Sequence, residues 1–183
     1  MFQTLSNKIL TGVITLSMLL LSSYEGNNAR FENVFASYVG NRIFISAELT
    51  EAFSNDFEEL FQSGQRIDIF FKVQILDFEQ QIEEKIFRHA VIFDPLNHEY
   101  TVYLEEQGER LLEADYAHLI ELISHFEYTY NAEKYRGGYI ILSSYLKKIR
   151  LQSIKKEYDM MMLWKFKQPK IKVDCQPQDT SSN

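Results

Sequence analysis

Residues Arg66 to Phe78 read RIDIFFKVQILDF, and the alternation of apolar and polar side chains in this run decides the fold. The apolar side consists of Ile67, Ile69, Phe71, Val73 and Ile75. The opposite side carries Arg66, Asp68, Lys72 and Gln74. A period of two residues is that of a β-strand with one face buried and one face in water. The run therefore predicts a long, half-buried strand.

A β-hairpin is predicted on each side of this strand. Upstream, residues 31–39 and 42–49 flank Gly40-Asn41, and both turn residues tolerate the positive φ that a two-residue connection requires. Downstream, residues 82–93 and 99–105 flank Asp94-Pro95-Leu96-Asn97, where proline presets the second turn position. The first strand of the downstream hairpin is apolar on both faces, which predicts a central position in the sheet.

Two segments have helical spacing instead. The first consists of Phe53, Phe57, Leu60 and Phe61, and Gly64 follows it as a terminator. The second consists of Leu112, Tyr116, Leu119, Ile120 and Ile123 and continues to about Phe126. Both segments predict short amphipathic helices that pack on the sheet.

The C-terminal part returns to strand-like patterns. Residues 139–151 predict a long strand, and further strands are predicted where apolar residues alternate with lysines. These alternations are Trp164 and Phe166 with Lys165 and Lys167, and Ile171 and Val173 with Lys170 and Lys172. Residues 175–183 are polar and predict a disordered tail.

Together these elements predict an α+β fold that is mainly antiparallel β, built as a sandwich or a curved sheet with two short amphipathic helices. The chain has 183 residues, of which 45% are hydrophobic and 25% charged, a composition typical of globular proteins. No break in composition divides residues 24–174, so one domain is predicted. Cys175 is the only cysteine, which excludes an internal disulfide and a multi-cysteine zinc site.

The N-terminus predicts export. Residues 1–8 carry one basic side chain, and thirteen uncharged, mostly aliphatic residues follow from Ile9 to Leu21. This is the pattern of a secretory signal peptide over residues 1–23, with Tyr24 as the first mature residue. An uncleaved membrane anchor is the alternative. Because the chain contains no Asn-x-Ser/Thr sequon, the predicted location is the periplasm or cell envelope of a bacterium.

Motifs for nucleotide chemistry and for triad hydrolases are missing from the sequence. It contains no Gly-x-x-x-x-Gly-Lys, no Gly-x-Gly-x-x-Gly and no Gly-x-Ser-x-Gly. His118 and His125 are seven residues apart on one helix, about 10 Å along its axis, which is too far to share a metal. No catalytic residue, metal ligand or cofactor is predicted.

Charge is distributed unequally along the chain. Residues 24–133 contain 7 basic and 22 acidic residues, a net charge of −15, whereas residues 134–174 contain 11 basic and 3 acidic residues, a net charge of +8. One interpretation is that basic strands pair beside acidic ones. The other is a basic ridge for anionic lipid or an acidic envelope protein, formed by Lys147, Lys148, Arg150, Lys155, Lys156, Lys165 and Lys167. Nucleic acid is not a predicted partner, because the whole chain has a net charge of −7 and export separates it from nucleic acid.

Two further functions remain open. An apolar-ligand or lipid carrier would have a cavity between helices and sheet, lined by Phe53, Phe57, Phe71 and Trp164. An envelope hydrolase would need two carboxylates that converge in a cleft, as the pairs Glu58-Glu59, Glu83-Glu84 and Glu105-Glu106 could supply.

Three segments carry a family resemblance. They are residues 42–78 (RIFISAELTEAFSNDFEELFQSGQRIDIFFKVQILDF), residues 100–104, and the 145–151 strand with the later Trp164. In pattern and order they resemble the exported bacterial domain-of-unknown-function family numbered 4390. The resemblance implies an envelope location, and it implies no activity and no functional residues. The leading hypothesis is a non-enzymatic binding or interaction module of the bacterial envelope that uses a β surface or an edge strand.

Overall fold

The computed structural model describes residues 26–55, 57–78, 80–132, 135, 137–151 and 156–178, so the predicted signal peptide lies outside the described residues. In chain order the elements are β1 (Arg30–Val39), β2 (Arg42–Thr50), α1 (Phe57–Gln62), β3 (Ile67–Asp77), β4 (Gln80–Asp94), β5 (Glu99–Leu104), β6 (Glu109–Glu113), α2 (Tyr116–Ser124), β7 (His125–Asn131), β8 (Gly138–Leu146), β9 (Lys148–Leu151), β10 (Lys156–Asp159), a 3₁₀ turn (Met160–Trp164) and β11 (Lys170–Pro177).

Nine of the strands form one sheet in the order β6-β5-β4-β3-β8-β11-β1-β2-β7, and β9 pairs with β10 in a separate two-stranded ribbon. Every neighbouring pair is antiparallel except β1 and β11, which run parallel. The prediction of an α+β fold with a curved, mainly antiparallel sheet and two short helices is confirmed. The parallel pair was not predicted.

The sheet curls so that distant strands share one core. All five residues on the apolar side of β3 are buried. The ring of Phe71 on β3 stacks on Phe126 of β7 with centroids 5.0 Å apart, and Phe87 on β4 lies 4.6 Å from Tyr128 of β7. Because β7 is at the opposite end of the strand order from β4, these contacts require the sheet to fold back on itself.

Both predicted hairpins are confirmed. Gly40 at the β1–β2 turn has φ of 56°, and the inward residues Ile43, Ile45 and Ala47 are buried. In the second hairpin β4 lies between β3 and β5, as its two apolar faces predicted. Asp94 initiates the turn, because its carboxylate accepts hydrogen bonds from the backbone of Leu96 and Asn97.

The predicted helix boundaries were wrong at several points. The first helix begins at Phe57, and Phe53 lies in the preceding bend. Leu112 belongs to strand β6 and is exposed, and Phe126 belongs to β7. The side chain of Asp115 caps α2 by accepting a hydrogen bond from the backbone N–H of His118 at 2.8 Å, which fixes where the helix starts. Strands β6 and β7 were missed because their apolar residues also fit the helical period.

The C-terminal predictions need three corrections. The predicted strand over residues 139–151 breaks at Lys147 into β8 and β9. Trp164 to Lys167 do not form a strand: Trp164 ends the 3₁₀ turn, and Lys165 and Phe166 follow with positive φ. The predicted tail starts too early, because β11 continues to Pro177. Residues 179–183 of that tail lie outside the described residues.

Candidate functional site

The outer face of β1, β2 and β7 carries the candidate site. Strand register aligns its side chains in rows across the three strands. One row is Ser37, Phe44 and Thr129, and the next is Phe35, Ser46 and Glu127. The alternate residues of β2, Ile43 and Ile45, point into the core, which is why this face is left with small hydroxyl side chains and two phenylalanines.

These six residues form the floor of a groove of about 840 Å³ that we call the strand groove. Its wall is formed by Glu106 and Gln107 of the β5–β6 turn and by Glu109 at the start of β6. The lining that the structure describes includes three carboxylates and neither lysine nor arginine. Phe35 is 53% exposed on the floor. The strand groove thus offers negative charge beside an exposed aromatic ring.

Two side-chain oxygen atoms of residues that line the strand groove have no hydrogen-bond partner among the described residues. Ser37 is 2% exposed, and its Oγ has no hydrogen-bond partner among the described residues. Glu106 has a fully buried side chain, and its Oε2 is likewise unpartnered in the described part of the chain. Buried polar atoms without partners are costly and are rare in folded proteins.

A buried histidine holds the groove wall in place. His89 on β4 contacts Glu106 Oε1 through Nε2 at 2.9 Å, and its Nδ1 lies 2.8 Å from the carbonyl oxygen of Ile123. Since a carbonyl oxygen only accepts, Nδ1 carries a proton and donates it to Ile123. The imidazole also lies on the ring of Phe71 with centroids 4.5 Å apart. Strand β4, helix α2 and the β5–β6 turn are thereby joined through one side chain.

Strand β7, the third strand of the floor, is attached to β4 by its inward residues. The ammonium of Lys85 lies 5.6 Å from the centroid of the Tyr128 ring. A hydrogen bond to Tyr128 raises the pKa of Lys85, against burial, which lowers it. Burial raises the pKa of Tyr130, and its hydrogen bond with Glu83 adds to this shift. These contacts fix the floor, because they hold an edge strand against the rest of the sheet.

The strand groove continues in one direction along the strands. A second depression of about 590 Å³ shares Phe44 and Gln178 with it and is lined further on by Arg42 and Asn131. At the other end, beyond Ser46 and Glu127, a depression of about 610 Å³ lies between β2 and α2. Its polar lining includes Glu48, Glu51, Glu121 and His125. Depressions thus follow the length of β2.

The structure describes the side chains of only some residues of the predicted basic ridge. Lys147 lies over the ring of Phe70 with its Nζ 4.1 Å from the centroid, and Lys148 is 3.9 Å from Glu157. Lys165 donates a hydrogen bond to Asn28, and Lys167 is exposed. Lys155 and the side chains of Arg150 and Lys156 lie outside the described residues. The ridge stays a prediction.

The four residues predicted for an apolar cavity fall into two aromatic clusters. Phe53 contacts both Phe57 and Trp164, with centroids 5.2 and 6.2 Å apart. Phe71 instead contacts Phe31, His89 and Phe126, and no ring contact among the described residues joins it to the other three. All four side chains are buried. Trp164 donates a hydrogen bond from Nε1 to the carbonyl oxygen of Ala52 at 2.9 Å, so it serves the packing of the 3₁₀ turn.

One member of the acidic pairs and the cysteine have shifted pKa values. A hydrogen bond from Lys72 lowers the pKa of Glu84, the direction opposite to what a general acid requires. Cys175 is a buried free thiol, and burial raises its pKa. The described residues contain no group of three or more His, Cys, Asp or Glu that could hold a metal ion.

Sequence reasoning missed the strand groove and the His89–Glu106 pair. The groove has a readable signal, because Phe35, Ser37, Phe44 and Ser46 occupy the positions that alternate with the core residues of β1 and β2. The helical spacing that ends at about Phe126 covers only the first two residues of β7, and the rest of β7 was not predicted, although the run HFEYTYN alternates aromatic and polar residues. His89 and Glu106 have no local signal, since they are 17 residues apart and meet only through the β4–β5–β6 register.

Comparison with protein-family models, with curated proteins and with solved structures finds no match for this chain. In the part of the chain that the structure describes, no helix has the length and apolar character to cross a membrane.

Proposed function

We propose that the protein is an exported, non-enzymatic binding module of the bacterial envelope and that the strand groove holds its partner. The observation that carries the proposal is the groove itself, in which an exposed phenylalanine, three carboxylates and an unpartnered buried hydroxyl line one continuous depression. Sites of this kind combine apolar surface with a few polar groups that orient the ligand.

Binding is favoured over catalysis by the state of the buried acid–base pair. Both imidazole nitrogens of His89 are engaged, one by Ile123 and one by Glu106, so neither has a free lone pair for a substrate proton. The export part of the proposal rests on the sequence of residues 1–23. The resemblance to the family numbered 4390 agrees with it.

Site-specific photo-crosslinking in living bacteria tests the proposal. A benzophenone amino acid replaces Phe35 in the full chain, and in the matched control it replaces Phe166, which is 69% exposed and does not line the strand groove. We expect a crosslinked product from position 35 that is absent at position 166 and that disappears when Ser37→Phe fills the groove. Equal products at both positions, or none at position 35, would refute the proposed binding surface.

The same cells test export. Mass spectrometry of the purified protein should find Tyr24 as the N-terminal residue, with the protein in the envelope fraction. A chain that keeps residues 1–23 and sediments with membranes would support the anchor instead, and a chain that keeps them in the cytoplasm would refute export.

A further inference from the structure

We infer that the occupant of the strand groove is an extended, lysine-bearing or arginine-bearing segment of another protein. This inference rests on the proposed function and adds the chemical class of the partner. It follows from four properties of the groove: the spacing of its rows, its charge, its phenylalanines, and the rigidity of its wall.

The spacing of the rows matches an extended peptide. Each row of the floor lies two residues along the strands from the next, which is about 6.6–6.8 Å in a β-strand. An extended chain has the same period between side chains on one side. A peptide that runs along β2 therefore places every second side chain over a successive row, at Thr129, then Glu127, then His125.

The charge of the groove selects cationic side chains. Glu106, Glu109 and Glu127 line it, and 63% of the Glu127 side chain is exposed. Two histidines contact these acids: the buried His89 lies 2.9 Å from Glu106, and the Nε2 of His125 lies 3.1 Å from Glu127. A lysine or arginine that reaches this row would meet a carboxylate at its charged end.

The phenylalanines suit the stems of such side chains. Phe35, Ser46 and Glu127 form one row, so an exposed ring and a carboxylate lie on either side of Ser46, two strands apart. The methylene stem of a lysine packs on apolar surface while its ammonium stays polar, and a cation over an aromatic face gains further attraction. The Oγ of Ser37 and the Oε2 of Glu106 are acceptors that donors of the peptide would satisfy.

The wall is already formed before a partner arrives. The β5–β6 turn is held by the His89–Glu106 contact and by backbone hydrogen bonds from Glu105 to Arg88 and from Gly108 to Glu105. A site that does not have to be ordered on binding keeps more of its interaction energy as affinity. The groove can therefore bind a short segment through few contacts.

Fluorescence anisotropy with synthetic peptides tests the inference on the mature protein, residues 24–183. The probe is a labelled seven-residue peptide of alternating lysine and threonine. The matched probes are a block peptide of the same composition, with its lysines adjacent, and a peptide with glutamate in place of lysine. We expect the alternating peptide to bind at least 10-fold more tightly than the block peptide, and the glutamate peptide not to bind.

Groove variants localise the binding. Glu127→Gln and Glu109→Gln should each weaken the alternating peptide about 3- to 10-fold, and Phe35→Ala about 10-fold. Glu59→Gln on α1 removes an exposed carboxylate that does not line the groove and should leave the affinity unchanged. Circular dichroism melting of each variant confirms that the fold is retained.

The alternative occupants give different results. If spermine competes for the groove as tightly as the alternating peptide binds, the peptide partner is refuted and the ligand is a free polyamine. Self-association that Glu127→Gln abolishes, seen by analytical ultracentrifugation, would overturn it in favour of a second copy of this chain. Another outcome is that a neutral peptide binds in a way that depends on Phe35 while no cationic peptide binds. That result would refute the cationic partner and leave the proposed binding function intact. If no peptide binding depends on Phe35, both fail.

Discussion

The strand groove and the outer face of β3, β8 and β11 belong to one sheet but differ in whether their charged groups have partners within the chain. On the second face, which we call the lysine–aromatic face, Phe70 and Tyr145 stack with centroids 5.2 Å apart. Lys147 covers Phe70, and Lys172 lies 3.4 Å from the centroid of Tyr139. Lys72 pairs with Glu84 at 2.9 Å. These three lysines therefore have partners within the chain, whereas the strand groove contains acceptor atoms without partners among the described residues.

The difference shows that net charge along the sequence does not report which charged groups have partners in the fold. The basic C-terminal part enters the middle of the sheet through β8 and β11. There the lysines of β11 lie opposite Ser143 and Ile141, so they are not paired with acids of neighbouring strands. A surface is open to a partner when its polar groups lack contacts, not when they are numerous.

The largest expected effect is on the support of the groove. His89→Leu leaves the carboxyl of Glu106 buried without its partner and should lower the free energy of unfolding by about 3–5 kcal/mol. Glu106→Gln keeps a hydrogen bond to the imidazole and should cost about 1 kcal/mol. Urea unfolding at neutral pH measures both. If His89→Leu lowers the free energy of unfolding less than Glu106→Gln does, the pair does not support the wall.

The next effect concerns the lysine–aromatic face. Phe70 is 8% exposed, and Phe70→Ala removes apolar surface that Tyr145 and Lys147 cover, so the free energy of unfolding should fall by about 2 kcal/mol. Peptide binding in the strand groove should be unchanged. A loss of peptide binding in a folded Phe70→Ala protein would contradict the separation of the two faces.

A smaller effect separates two neighbouring lysines. Lys147→Met removes the charge over Phe70 and should cost about 0.5–1 kcal/mol, measured by thermal unfolding. Lys148→Met is the matched control, because Lys148 is exposed and its distance to Glu157 is 3.9 Å. Equal effects for both variants would mean that the cation over the ring contributes nothing specific.

The smallest effect is a pH dependence. The hydrogen bond from Lys72 holds the pKa of Glu84 below its ordinary value of 4.5, so the folded state binds a proton at this site less readily than the unfolded state. The resulting stabilisation is complete above the unfolded pKa and disappears as pH falls through the folded pKa. The difference in melting temperature between the natural protein and Glu84→Gln should therefore be largest near pH 7 and vanish in strong acid. A difference independent of pH would rule out the pair as its source.

The sequence determined the interior of the fold better than its outer faces. The alternation from Ile67 to Ile75 was sufficient to predict strand β3, because the burial of one face allows only one pairing register. Phe126 could not be assigned from pattern alone, since its spacing from Ile123 fits a helix and its alternation with Glu127 fits a strand. The cap at Asp115 and the pairing of Phe126 with Ala47 decide between them, and the second is a contact between distant residues.

The strand groove was harder to predict, because it depends on which faces meet across the sheet. Ser37 and Ser46 look like ordinary solvent-facing strand residues until the register places them beside Phe44 and Glu127. The wall depends on His89 and Glu106, which belong to different elements. No local pattern reports that two such residues will be buried together.

The parallel pairing of β1 with β11 has a consequence for the order of folding. Strands β1, β2 and β7 form one ladder, strands β6, β5, β4, β3 and β8 form another, and β11 alone joins the two ladders in the sheet. A chain that emerges from its N-terminus during synthesis can form both ladders, but backbone hydrogen bonds cannot join them into one sheet until residues 170–177 are free. Such late, non-local closure is typical of slow-folding β proteins. The last strand to appear therefore sets the moment at which the sheet becomes a single cooperative unit.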